Sequence, residues 1–282
     1  MHPWLRLVRV GNVLTALAGT VVGGLAARGA GIPSSFEFWS VLLLAAASTA
    51  LVTAGGNVVN DVLDRETDRT NHPDRPLVTG AVAVGSAKSG ATALLVLGVV
   101  AVVPVAFRAP LLLPILLVAI GALLGYEFFL KSHGFSGNLL VAFLTAAVFL
   151  YGGAAVGNVV AVVPFSLMAF GATLSRELIK DMEDAEGDQD RRTLPRLRGF
   201  GLATTIARLS AAVAIALSPV PLLTLLTPWS IAGIMYLALV VAADALFVAS
   251  VAALPARLHR EQTLSKAGMT VALLAFLAAA FR

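Results

Sequence analysis

The chain has 282 residues, 58% of them hydrophobic and only 13% charged, with a mean hydropathy of +0.89. Soluble domains carry about 25% charged residues, so the composition excludes an ordinary soluble globule and points to an integral membrane protein. The absence of cysteine removes disulfides, thiolate metal sites and cysteine nucleophiles, four scattered histidines argue against a histidine-rich metal centre, and a formal charge of +4 gives no footprint for nucleic acid.

A membrane-spanning helix needs about 20 mainly apolar residues, and such segments succeed one another along the chain. The first covers Val13 to Ala27, with Arg6 and Arg9 as a basic flank. It reads as a first membrane helix rather than a signal peptide, because the rest of the chain is itself multi-spanning. The second runs from Phe38 to Asn60 and opens into a polar stretch, 61–88. Helix three, Ser89 to Phe107, and helix four, Leu111 to Leu130, are separated only by Arg108-Ala109-Pro110. A short polar turn, 131–137, leads to helix five, Asn138 to Val156, and Gly157-Asn158 separates that from helix six, Val160 to Lys180. A second long polar stretch covers 181–198. Helix seven, Gly201 to Leu217, ends at the Pro219/Pro221 pair; helix eight is Trp229 to Leu254. A basic linker, Pro255 to Lys266, precedes helix nine, Ala267 to Phe281. The expected fold class is all-α: one domain over 1–282, a multi-spanning membrane helical bundle of about nine transmembrane helices around a cytoplasm-facing polar chamber.

Charge placement sets the expected orientation. With the N-terminus cytoplasmic, nine spans leave only Arg28, Arg108 and Arg282 of the 20 Lys and Arg residues at the opposite face. That is the split the positive-inside tendency predicts.

The acids are more concentrated still, with twelve of 16 at two places. In NVVNDVLDRETD, Asn60, Asp64 and Asp68 stand at intervals of four, with Asp61 beside them. If the helix continues, each interval advances about 400° and the three side chains share a face. Carboxylates so stacked repel one another and cannot face lipid. A hard cation such as Mg²⁺, with phosphate as its remaining ligand, resolves both problems. Asp181, Asp184 and Asp188 repeat the logic at i, i+3 and i+7. Solvated surface acids would spread over all the loops; two triads suit two metal ions bridging a diphosphate.

Basic residues accompany both clusters. Arg65, Arg69 and Arg75 go with the first, and Arg176, Lys180, Arg191 and Arg192 with the second. Each either forms a salt bridge or holds phosphate oxygens. Lys131, alone in its turn, reads as a phosphate ligand ahead of a topology-setting charge. Tyr126 is an interfacial anchor or part of the cavity; Glu127 must face the polar chamber. Asp244, in mid-helix eight, should face the bundle interior and bond a neighbouring helix.

These motifs resemble those of the intramembrane UbiA-type prenyltransferases, across essentially the whole chain. The family's first motif falls on Asn60, Asp64 and Asp68, followed by DRPLVTG from Asp74 to Gly80. Its second falls on Asp181, Asp184 and Asp188, and GYEFFLKSHGFSGN matches the turn after helix four. KDMEDAEGD followed by TLP is most similar to the archaeal-type digeranylgeranylglyceryl phosphate synthases. The resemblance implies nine helices around a chamber where the six motif residues bind Mg²⁺ and an isoprenoid diphosphate donor. It also implies a lipid-like glyceryl phosphate acceptor and membrane lipids as partners, in a multi-pass cell-membrane enzyme. Arg69, Arg75, Tyr126, Lys131, Arg176, Lys180 and Arg192 are the expected substrate-binding set. An aromatic acceptor is the competing reading within the same chemistry. A cation-coupled transporter is the alternative from another class, but transporters keep their key charges near the midplane.

Overall fold

The structure is a computed structural model and describes residues 2–29, 35–130, 134–186 and 192–282. Among these, nine helices are long and apolar enough to cross a membrane. They are built on α1 (Val10–Arg28), α2 (Phe36–Leu63), α3 (Val84–Val102), α4 (Leu112–Gly125, a span that the following turn extends to Phe129), α5 (Phe135–Ala155), α6 (Val163–Glu183), α7 (Phe200–Leu217), α8 (Ile231–Ala252) and α9 (Leu258–Ala280). Local chemistry sets several ends. Ser35 and Ser230 cap α2 and α8, accepting from the backbone N–H of Phe38 and Gly233. Pro164 occupies the first turn of α6, where its missing N–H costs nothing.

Two helices begin earlier than their apolar runs. α3 starts at Val84 rather than Ser89, and α9 starts at Leu258 rather than Ala267, so much of the expected basic linker is helix. The physical reason is that a helix need not stop where hydrocarbon stops. Lys88, Arg260 and Lys266 are exposed, so a helix can carry them beyond the hydrocarbon. The polar stretch after α2 also contains a short helix, Arg65–Asn71.

Consecutive helices pack as neighbours from α1 to α9, most lightly at α3–α4, α7–α8 and α4–α5, and α9 closes back on both α1 and α6. α6 is the most buried span, while α3 and α4 turn most of their surface outward. α1 and α5 approach closely enough that backbone meets backbone. A Cβ added at Gly152 would lie 2.1 Å from the carbonyl oxygen of Thr20. This is how small residues hold membrane helices together where lipid supplies no hydrophobic drive. Deeper in the bundle, Phe149, Phe165 and Phe276 stack edge to face.

The three arginines assigned to the far face do sit together at one end. Arg108 pairs with Glu37 at 3.0 Å, Arg28 lies over the Phe38 ring, and Arg282 donates to the carbonyl of Ala26 at 3.1 Å. Both acid-rich motifs belong to the other end.

Candidate active site

α2 does not simply continue through the first motif. It ends at Leu63, and Asp64 caps it before the short helix Arg65–Asn71 begins. The backbone ladder nevertheless passes through the join: Asp64 N–H donates to Asn60 O, Asp68 N–H to Asp64 O and His72 N–H to Asp68 O, at 2.8–2.9 Å. The four-residue spacing therefore still delivers Asn60, Asp64 and Asp68 to one side. All three line a cavity of about 1250 Å³.

A pair of arginines anchors this corner. Asp61 is 4% exposed, turned away from the cavity lining. Its Oδ1 takes Arg9 at 2.5 Å and Arg75 at 3.3 Å, and Arg75 also reaches Asp68 at 2.5 Å. Arg9 further donates to Asn60 Oδ1 at 2.9 Å, while Asn60 Nδ2 donates to Glu127 Oε1 at 2.9 Å. Asn60 is thus held from both ends, which fixes its amide orientation and leaves one lone pair on its oxygen. Glu127 and Tyr126 reach the cavity from the π-helical turn Tyr126–Leu130 that ends α4. Such turns widen a helix and recur at functional sites.

The second motif divides. Asp184, at the end of α6, lines the main cavity together with Arg176, Glu177, Lys180 and Glu183. Asp181 instead lines a small side pocket, where its Oδ2 accepts from Asn138 Nδ2 at 2.8 Å. The side pocket adjoins the main cavity, with which it shares Tyr126, Val141, Glu177 and Lys180. At i and i+3, Asp181 and Asp184 lie about 60° apart, on one face of α6. Asp188 and Lys131 lie outside the described residues. Arg176 and Lys180 flank Glu177, at 2.6 and 3.9 Å. Arg192 lies at the side pocket, not the main cavity. Arg69 is placed outside both: it pairs with Glu66 on the exposed face of the short helix. Arg9 was absent from the expected set, as were Glu127 as a partner of Asn60 and Glu183. Glu183 is held by His259 and Gln262 at 2.9 and 2.8 Å, which ties the end of α6 to the start of α9.

Among the described residues, no three carboxylate or imidazole side chains converge on one point. Like charges cannot gather without a cation, and here Asp61 and Asp68 turn to arginines and Asp181 to an amide. The donors that do open on the cavity, Asp64, Asp68, Asp184 and the Asn60 oxygen, are the hard oxygens that Mg²⁺ takes. In donor chemistry they fit such an ion.

Away from this corner the cavity wall turns apolar, with Leu123, Leu144, Val148, Ala172 and Phe276. The site therefore joins a charged pocket to a long greasy interior, an arrangement suited to an amphiphile with an anionic head.

The sequence model of the UbiA prenyltransferase family matches residues 16–277. The chain is similar to the digeranylgeranylglyceryl phosphate synthase of Methanoregula boonei, 41% identical over 232 residues that cover 81% of this chain and 82% of that protein. It is 39% identical over 233 residues to the synthase of the same description from Natronomonas pharaonis, covering 80% and 79%. Among solved structures, one described as giving insights into digeranylgeranylglyceryl phosphate synthase in membranes superposes with a TM-score of 0.79 at 33% identity, over 99% of this chain and 98% of that one. A UbiA homolog from Archaeoglobus fulgidus, bound to DMAPP and Mg²⁺, shares the fold with a TM-score of 0.68 at 18% identity, over 97% and 99%.

Proposed function

The chain belongs to the UbiA prenyltransferase family, and we propose that it transfers a geranylgeranyl group from geranylgeranyl diphosphate to the C2 hydroxyl of 3-O-geranylgeranylglyceryl phosphate, a step in archaeal ether-lipid synthesis. One observation carries this reading beyond the relatives that suggest it. A single cavity of about 1250 Å³ joins Asp64, Asp68, Asp184, Arg9, Arg75, Arg176 and Lys180 to an apolar interior. That exceeds the range of about 300–1,000 Å³ usual for small-molecule pockets, and two C20 chains need such room.

The chemistry derives from this arrangement. The bond between prenyl C1 and the diphosphate oxygen breaks, and its electron pair leaves with the diphosphate. The glycerol C2 oxygen forms the new bond to C1 and gives up its proton to a carboxylate of the first motif or to the departing diphosphate. Asp64, Asp68 and Asp184 would hold Mg²⁺, which when bound neutralises the diphosphate and improves it as a leaving group. Arg9, Arg75, Arg176 and Lys180 line the same pocket, where their positive charge favours the negative charge that develops on the leaving diphosphate. Lys131, proposed as a ligand of the acceptor phosphate, belongs to this cationic set by its place in sequence. The apolar wall excludes the water that would otherwise capture the allylic cation as a free alcohol.

The test offers purified protein geranylgeranyl diphosphate with either geranylgeranylglyceryl phosphate or 4-hydroxybenzoate and identifies products by mass. The ether-lipid phosphate is expected to be prenylated, with activity lost in excess EDTA and restored by Mg²⁺. Prenylation of 4-hydroxybenzoate alone would replace the acceptor, and full turnover in metal-free buffer would remove the metal.

We also place the acid-rich end in the cytoplasm, on the split of basic residues between the two faces. The native chain lacks cysteine, so single cysteines report cleanly. Ser86→Cys, at the exposed start of α3, should be labelled from inside, and Pro110→Cys from outside. Ala109 is buried and a poorer probe. The reverse labelling pattern would invert the bundle.

A further inference from the structure

Asp244 lies in the middle of α8, where its Oδ2 accepts a hydrogen bond from Ser218 Oγ at 2.6 Å. The Ser218 carbonyl in turn accepts from the Tyr236 hydroxyl at 2.7 Å. These bonds tie the end of α7 to α8, as a lone intramembrane acid is expected to do. They do not account for a second fact: Asp244 and Ser218 both line the main cavity, far from its charged corner.

Helix geometry gives the depth. Ala243 packs with Ala172 of α6 and Met269 of α9, and Ala172 is twelve residues from Asp184, about 18 Å at the helical rise. Across the cavity, Thr49 is eleven residues along α2 from Asn60, about 17 Å, with Thr20 Oγ donating to it at 3.0 Å. Tyr151 is thirteen residues along α5 from Asn138, about 20 Å, and its hydroxyl bonds Ser48 Oγ at 3.4 Å. Thr49 and Tyr151 also line the cavity. Between these levels and the carboxylates the wall carries Val52, Leu123, Leu144 and Val148, interrupted by Thr53 and Thr145. Asp244, Thr49 and Tyr151 thus place polar groups at one depth on three sides, and Met168 and Val240 carry the apolar lining past them.

With carbon–carbon bonds of about 1.5 Å, an extended geranylgeranyl chain reaches roughly 20 Å from its diphosphate. Its last isoprene unit therefore ends near the level of Asp244. A longer apolar chain would have to lie against the carboxyl group and strip it of other hydrogen-bonding company, which is unfavourable. We propose that Asp244 is the polar end-stop of one prenyl channel and limits the isoprenoid that the cavity accepts to about C20; this rests on the prenyl-transfer reading of the site. Asp244 acts here on chain length, away from the reacting atoms.

The experiment compares wild type, Asp244→Leu, Asp244→Asn and Ser218→Ala. Each receives C20 and C25 all-trans prenyl diphosphates, and acceptors bearing C20 and C25 chains. Asp244→Leu should raise the C25-to-C20 ratio of kcat/KM at least about tenfold for one of the two substrates, the scale on which apolar pockets discriminate added carbon. Asp244→Asn keeps a polar group and should keep the wild-type ratio. Ser218→Ala cuts the tie between α7 and α8 but leaves the carboxyl group, and should keep it too. Asp244→Ala is a second variant, read in the same way, in case leucine does not fold. An unchanged ratio in both apolar variants, or the same shift in Ser218→Ala, would overturn the proposal and leave Asp244 as a helix tie. Failure of wild type to prenylate any glyceryl phosphate would instead overturn the function on which it rests.

Discussion

Asp64→Ala and Asp184→Ala are each expected to lower turnover by roughly 10²-fold or more while the protein stays folded. Both side chains line the cavity from different helices, at the ends of α2 and α6. The join after α2 depends on the backbone of Asp64, whose N–H and C=O carry the ladder, so trimming the side chain leaves the local fold intact. The loss is of a charge in a preorganised pocket, where it is felt in the transition state more than in the free substrate. Asp181 supplies the contrast. It sits in the side pocket with Asn138, and a hydrogen bond of that kind contributes about 1 kcal/mol. Asp181→Asn should therefore cost about fivefold or less. Product formation under saturating substrates, with size-exclusion profiles in detergent as the folding control, separates the cases. Near-normal rates in both alanine variants would return the acid clusters to the role of a solvated surface. An equal loss in Asp181→Asn would make the side pocket part of the diphosphate site.

That contrast shows where sequence reading stops. The nine spans were legible because lipid imposes a length and an apolar content on each. The spacing of Asn60, Asp64 and Asp68 was legible because a helical ladder passes through them even though α2 formally ends. For Asp181 and Asp184 the spacing gives a shared face of α6 but not the neighbour that each one meets. Asn138, on α5, is the neighbour that Asp181 meets. Arg69 likewise carries the right charge beside the right motif, yet its turn of the short helix points it at Glu66. Arg9 was the reverse case. In sequence it is one of two basic residues flanking a first helix, and nothing local distinguishes it from Arg6. Its importance comes from contacts 51 and 52 residues away, which the bundle alone creates.

Arg9→Ala is the second large effect expected, a loss of stability by about 2 kcal/mol together with a fall in kcat/KM of roughly tenfold or more. Asp61 is 4% exposed and held by two arginines. Removing one partner of a buried ion pair is strongly destabilising because the other charge is left behind. Here the penalty sits toward the lower end, since Arg75 remains at 3.3 Å and the Arg9 side chain is 35% exposed. Function should suffer as well, because the same guanidinium fixes Asn60, and Asn60 in turn meets Glu127. Arg9 also adopts φ +53°, the one positive φ outside glycine among the described residues. Alanine there keeps the backbone strain and loses the contacts that sustain it, so Arg9→Gly should be the more stable of the two truncations. Arg9→Lys keeps the charge without the fork and should recover stability better than activity. A double-mutant cycle with Asp61→Asn decides whether the arginine works through its buried partner. Thermal midpoints and kcat/KM would be measured for each single variant and for the pair. Contacting groups should be non-additive, so Arg9→Ala should cost clearly less once Asp61 has lost its charge. Simple additivity would mean that Arg9 does not act through Asp61, and its effect on turnover would then have to come from its own place on the cavity wall.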